Sequence, residues 1–158
     1  VSIGLALSNI LNSLLNGSTL AEALSEKNIL DGVKSSSVQE AVKDAYIAKG
    51  KPLELTAAER GRSCHLPEAF IIPLQAALAV ADENGDTNGD GSSYASAIRE
   101  NILASGDICS RSIMIGSILG LVGAGCPESF MSKFETTHAS RARAAAGAIA
   151  ELRAAADF

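Results

Sequence analysis

The chain has no tryptophan, two tyrosines and four phenylalanines in 158 residues, so its core must be built from alanine, leucine, isoleucine and valine. Those residues suit close helix packing better than a β-sandwich. Three cysteines, Cys64, Cys109 and Cys126, are odd in number and widely spaced, and no Cys-x-x-Cys pair occurs. This pattern argues against a disulfide framework and points to a reducing, cytoplasmic compartment. Basic residues are few and scattered: 13 Lys+Arg against 18 Asp+Glu give a net charge of −5, which speaks against a surface that tracks phosphates, so general nucleic-acid binding is not expected. The longest apolar run, Ser112 to Gly125, is well short of the roughly 20 residues of a spanning helix and holds four glycines, so a buried helix and no membrane partner are expected. The chain opens with Val1 rather than Met, already helical and without a basic leader, and is expected to be a piece of something longer.

What is present is helical periodicity. At 47% hydrophobic residues the chain can bury a real core. Ile3, Leu7, Ile10, Leu11, Leu14 and Leu15 share one helical face before a stop at Asn16-Gly17. Thr19 with Glu22, and Ser37 with Glu40, read as capping boxes for helices over 20–27 and 38–49, and Thr56 with Glu59 marks another short helix. Pro67 starts a helix in which Pro73 predicts a kink, or a break after Ile71. Tyr94, Ala97, Ile98, Ile102 and Leu103 give the next helix. From Ser110 the pattern is apolar almost all round, which predicts a central helix, and Gly116 and Gly120 on one face predict close approach of another helix backbone. Pro127 opens a short helix, and the Ala-rich stretch from His138 to Ala156 forms a last one with little to pack. With no alternating strand pattern, the fold is expected to be all-α.

Chemistry concentrates in two short segments. Ser105-Gly106-Asp107-Ile108-Cys109-Ser110-Arg111 gathers an acid, a thiol, a hydroxyl and a guanidinium between two apolar helices. Gly106 is suited to positive φ there, and Asp107 falls at a helix N-terminus. Asp107 is expected either to cap that helix or to bind a metal or ligand, with Ser110 offering a hydroxyl and Arg111 able to neutralise a phosphate or clamp a carboxylate. The second segment is Ser63-Cys64-His65-Leu66-Pro67-Glu68. Adjacent Cys64 and His65 make an improbable nucleophile and base, because neighbours on an extended chain point apart; Cys64 is expected to pack as a small apolar group and His65 to border a cleft or cap a helix. If the segments converge, Cys64, His65, Asp107 and Cys109 could bind a thiophilic metal such as zinc. Asp86 to Gly91 begins like an EF-hand calcium loop but reaches Ala97 where a bidentate Glu is required, so a solvated loop is expected. His138 is expected at the surface.

Taken in order, Ser63-Cys64-His65-Leu66-Pro67-Glu68-Ala69-Phe70, Ala97 to Asp107, Cys109-Ser110-Arg111-Ser112, Ile115-Gly116 and Cys126-Pro127-Glu128 resemble the C-terminal half of the ADP-ribosylglycohydrolase superfamily, nearest the branch containing the J1-type crystallins. The resemblance covers residues 1–137 and leaves 138–158 as a separate Ala-rich C-terminal helix. It implies a multi-helix orthogonal bundle, incomplete here, with a ligand cleft at Ser63, Cys64, His65, Gly106 and Arg111. It also implies an ADP-ribose-like small molecule or ADP-ribosylated partner and, in active members, two magnesium ions that assist cleavage of a ribosyl glycosidic bond.

In the family's metal motif, Asp107 stands for the first ligand aspartate, Cys109 for the second and Ser110 for the closing threonine. Cys109 replaces a hard carboxylate by a soft thiol. The Thr-Asp-Asp cluster that active members carry in their N-terminal half does not occur in this sequence. The resemblance therefore implies a hydrolase domain in a longer parent, or a non-catalytic structural or ligand-binding protein like the crystallins, with this chain alone catalytically silent.

Overall fold

A computed structural model describes residues 2–82, 91–122, 125–134 and 136–156. All regular structure among the described residues is helical. The chain divides into two compact units, Val1–Cys126 and Pro127–Phe158.

In the first unit, α1 (Ser2–Leu15) buries Ala6, Ile10 and Leu14, the face its periodicity marks. Thr19 and Glu22 form a capping box, with the Thr19 side chain accepting from the Glu22 amide and the Glu22 carboxylate accepting from the Thr19 amide at 2.9 Å. The segment after it is two one-turn helices rather than one. The first, α2 (Leu20–Ala23), ends because Ser25 takes an extended backbone and caps α3 (Glu26–Ile29) through the Asn28 amide. Asn9 and Asn28 hold this region to α1: Asn9 Nδ2 donates to the carbonyls of Ile29 and Asp31, and Asn28 Nδ2 to those of Asn9 and Ala23.

Helix α4 (Ser36–Ala48) starts two residues earlier than its expected box, with Ser35 at the cap. The Ser37 hydroxyl pairs with Ser35 at 3.0 Å instead of capping the helix. Similarly, α5 (Leu53–Arg60) begins after Pro52, which leaves Thr56 buried inside it rather than at its start. The Arg60 guanidinium grips Asp44 of α4 with N–O distances of 2.8 and 2.9 Å.

The central helix is α6 (Glu68–Asp82), not the later apolar one. It runs unbroken through Pro73, which is itself buried, and packs against α2, α4, α5, α7 and α8. Contact on all these sides, from Phe70 to Leu78, supplies the burial that offsets the hydrogen bond Pro73 cannot donate. Buried Gln75 spends its Nε2 on the carbonyls of Ala48 (2.9 Å) and Lys51 (2.8 Å), fixing the turn between α4 and α5.

Helix α7 (Ser92–Leu103) leads into α8 (Ile108–Leu119), which exposes Ile113 at 71% and so lies at the edge of the core. What lies against Gly116 is the Tyr94 hydroxyl, 3.0 Å from where a Cβ would stand, rather than a helix backbone. Burial pushes the Tyr94 phenol above its usual value, and the neighbouring Cys126 thiol adds to that.

The second unit holds α9 (Glu128–Met131) and α10 (Thr136–Ala156). As its composition predicts, α10 buries only Ala139 among its described side chains, and His138 is exposed. No helix among the described residues is long and apolar enough to cross a membrane.

Candidate functional site

The corner between α7 and α8 is made by two consecutive left-handed residues, Ser105 at φ 59° and Gly106 at φ 78°. Glycine is required at the second. A Cβ there would overlap the Arg62 carbonyl oxygen and lie 2.6 Å from the Arg62 Cβ. This close approach ties the corner to the residue that precedes the second chemistry-bearing segment, and the Asp107 amide donates to the Arg62 carbonyl at 2.9 Å. The contact is made through Arg62, the residue just before the second segment, and among the described residues it does not assemble Cys64, His65, Asp107 and Cys109 into a metal-holding group.

Asp107 is the N-cap of α8. Its Oδ1 accepts the Ser110 amide at 3.2 Å, while its Oδ2 is buried with no hydrogen-bond partner. Arg111, one turn on, is 1% exposed and faces inward. Its Nε donates to the Asp107 carbonyl at 3.0 Å and its Nη2 to the Ser105 carbonyl, leaving Nη1 buried and unpartnered. The guanidinium therefore serves the carbonyls of the left-handed corner. Burial lowers its pKa; the Asp107 charge opposes that shift and the Arg62 charge adds to it.

Fully buried Asn101 completes the corner, with Nδ2 donating to the Ile108 carbonyl at 3.1 Å and to the Ser112 hydroxyl at 2.9 Å. Sequence reasoning missed Asn101 and Arg62. The signal for Asn101 was present, since it shares the 97, 101, 104 face with buried Ala97 and Ala104. Arg62 offered no signal, because its backbone rather than its side chain makes the contact.

The remaining candidates lie outward. Ser63, Cys64, His65, Cys109 and Ser110 are exposed, and Cys64 and Cys109 are free thiols. Cys64 does not pack as an apolar residue, because the Arg62–His65 stretch bends over the surface before α6. The Ser63 hydroxyl accepts the His65 amide at 3.3 Å. Glu68, at the start of α6, carries a buried Oε2 without a partner, and its Cγ lies 3.4 Å from where a Gly61 Cβ would stand. Among the described residues, no group of three or more His, Cys, Asp or Glu could hold a metal ion. Residues 86–90 of the calcium-like loop lie outside the described residues.

Comparison with protein-family models, with curated proteins and with solved structures returns no match for this chain.

Proposed function

We propose that this chain is the C-terminal half of an ADP-ribosylglycohydrolase-like, orthogonally packed helical domain of the J1-crystallin-like branch, and that alone it is a non-catalytic structural or ligand-binding protein. The observation that carries this assignment is the use of Asp107 Oδ1 as the cap of α8. A carboxylate oxygen engaged by a backbone amide is a local structural device. The lineage rests on the ordered motifs from Ser63 to Glu128, and the contact of Gly106 and Asp107 with Arg62 supports a shared site for them.

Magnesium, which the lineage implies, takes about six oxygen ligands in near-octahedral geometry. This corner offers Asp107 Oδ2 and the Ser110 hydroxyl, with the Cys109 thiol where a second carboxylate would belong, so the residues present do not fit the ion and no catalytic step is routed through it. A second assignment, a ribosyl hydrolase acting on ADP-ribose-like or ADP-ribosylated substrates in a cytoplasmic parent, is favoured by the free Asp107 Oδ2. It requires a longer chain that adds Thr-Asp-Asp acids.

The test is release of ADP-ribose from an ADP-ribosylated protein by this chain, with and without magnesium. No release above background is expected. Magnesium-dependent release that Asp107→Asn abolishes would overturn the non-catalytic assignment.

A further inference from the structure

Away from the α7–α8 corner, α5, α6 and α7 border a hollow of about 340 Å³ whose walls include Lys51, Pro52, Glu54, Ala79, Glu100 and Leu103. That volume falls within the range of small-molecule sites, about 300–1,000 Å³. One wall is held rigidly, because Gln75 clamps the carbonyls of Ala48 and Lys51. The apolar parts are Pro52, Ala79 and Leu103, the last 71% exposed.

Electrostatics select the sign of a ligand. Glu54 and Glu100 have no ion-pair partner among the described residues, whereas the Lys51 Nζ lies 3.6 Å from Glu59. Glu100 also sits in the last turn of α7, which carries no basic residue, so its carboxylate adds to the negative end of that helix instead of being offset there. A smaller hollow, lined in part by Ser93 and Ser96, shares Ala79 and Glu100 with the first and continues it along α6 and α7. Glu100 borders both hollows.

We infer that this groove binds a linear aliphatic polyamine. Its methylene chain lies over Pro52, Ala79 and Leu103, and its ammonium groups meet Glu54 and Glu100. An anion would meet two unpaired carboxylates. A bare metal ion would leave the apolar floor unused.

The experiment is a titration of the whole chain with spermidine, followed by amide NMR, with 1,8-octanediol as an uncharged chain of similar length. Saturable shifts at Leu53, Ala79 and Leu103 are expected, weakened about fivefold in each of Glu54→Gln and Glu100→Gln and absent with the diol. Both glutamates are exposed, so the variants keep the fold, which circular dichroism verifies. Equal affinity in the glutamine variants, shifts spread over acidic residues elsewhere, an equal response to the diol, or no shifts at millimolar spermidine would each overturn the inference.

Discussion

The Asp107 amide and the Arg62 carbonyl meet at 2.9 Å, and this one hydrogen bond joins two segments more than forty residues apart at the foot of α8. The left-handed corner, the buried guanidinium and the helix cap are arranged around that contact.

Gly106 is the residue the contact tolerates least changing. An alanine there combines left-handed strain of about 1–2 kcal/mol with overlap against the Arg62 backbone, so Gly106→Ala is expected to lose more than about 2 kcal/mol in urea unfolding. Gly17→Ala has similar φ but open space around its Cβ, and should lose only about 1 kcal/mol. Equal losses would mean that the Arg62 approach costs nothing.

Arg111 satisfies two carbonyls from a site that is 1% exposed. Arg111→Met keeps the stem but orphans both acceptors, and a loss of about 2–4 kcal/mol is expected from chemical denaturation. Arg111→Lys should recover little of it, since a single ammonium cannot reproduce the fork that reaches both carbonyls. Full recovery by lysine would contradict the geometry described.

At alkaline pH the relevant group is Tyr46, whose hydroxyl donates to the Leu24 carbonyl. Burial, reinforced by the Glu26 charge, raises its pKa. A raised folded-state value favours the protonated form, so its stabilisation is complete below the ordinary tyrosine value and disappears as pH climbs through the folded one. Tyr46→Phe should remove that alkaline component and cost about 0.5–1.5 kcal/mol at neutral pH. The check is denaturation midpoint against pH for both proteins.

At acid pH the sign reverses for Glu22. The Thr19 amide, then the Thr19 hydroxyl, hold its pKa below the usual glutamate value. The resulting stabilisation is present above that usual value and is lost as pH falls through the lowered one. Glu22→Gln should therefore flatten the acid limb of the stability profile while leaving the alkaline limb unchanged.

Much of this architecture was legible in local pattern: α1 buries the face its apolar spacing marks, α10 follows its Ala-rich composition, α7 forms where expected although Ile102 and Leu103 of its apolar set face outward, and the Thr19–Glu22 box forms as written. Asp107 is at a helix start and Gly106 is left-handed, both as local chemistry requires. The choice of central helix was not legible. The Pro73 helix is at least as apolar as α8 and packs against five other helices, but its interior proline obscured that role, while α8 leaves Ile113 in solvent. Ser37 and Thr56 misled because a capping pattern fits several registers and packing selects one. The inward turn of Arg111 was recoverable in part, since it shares the 111, 115, 118 stripe with Ile115 and Ile118. Its carbonyl partners depend on Ser105 being left-handed, which no propensity favours.

The central claim is that Asp107 works as a helix cap, and the most direct measurement is chemical denaturation of Asp107→Asn beside Asp107→Ala, in chelator and in millimolar magnesium. Asparagine retains a capping oxygen, so it should stay within about 0.5 kcal/mol of the parent, while alanine loses about 1 kcal/mol, with no midpoint moved by magnesium. A midpoint that magnesium raises in the parent but not in Asp107→Asn would contradict the account and make that carboxylate a metal ligand.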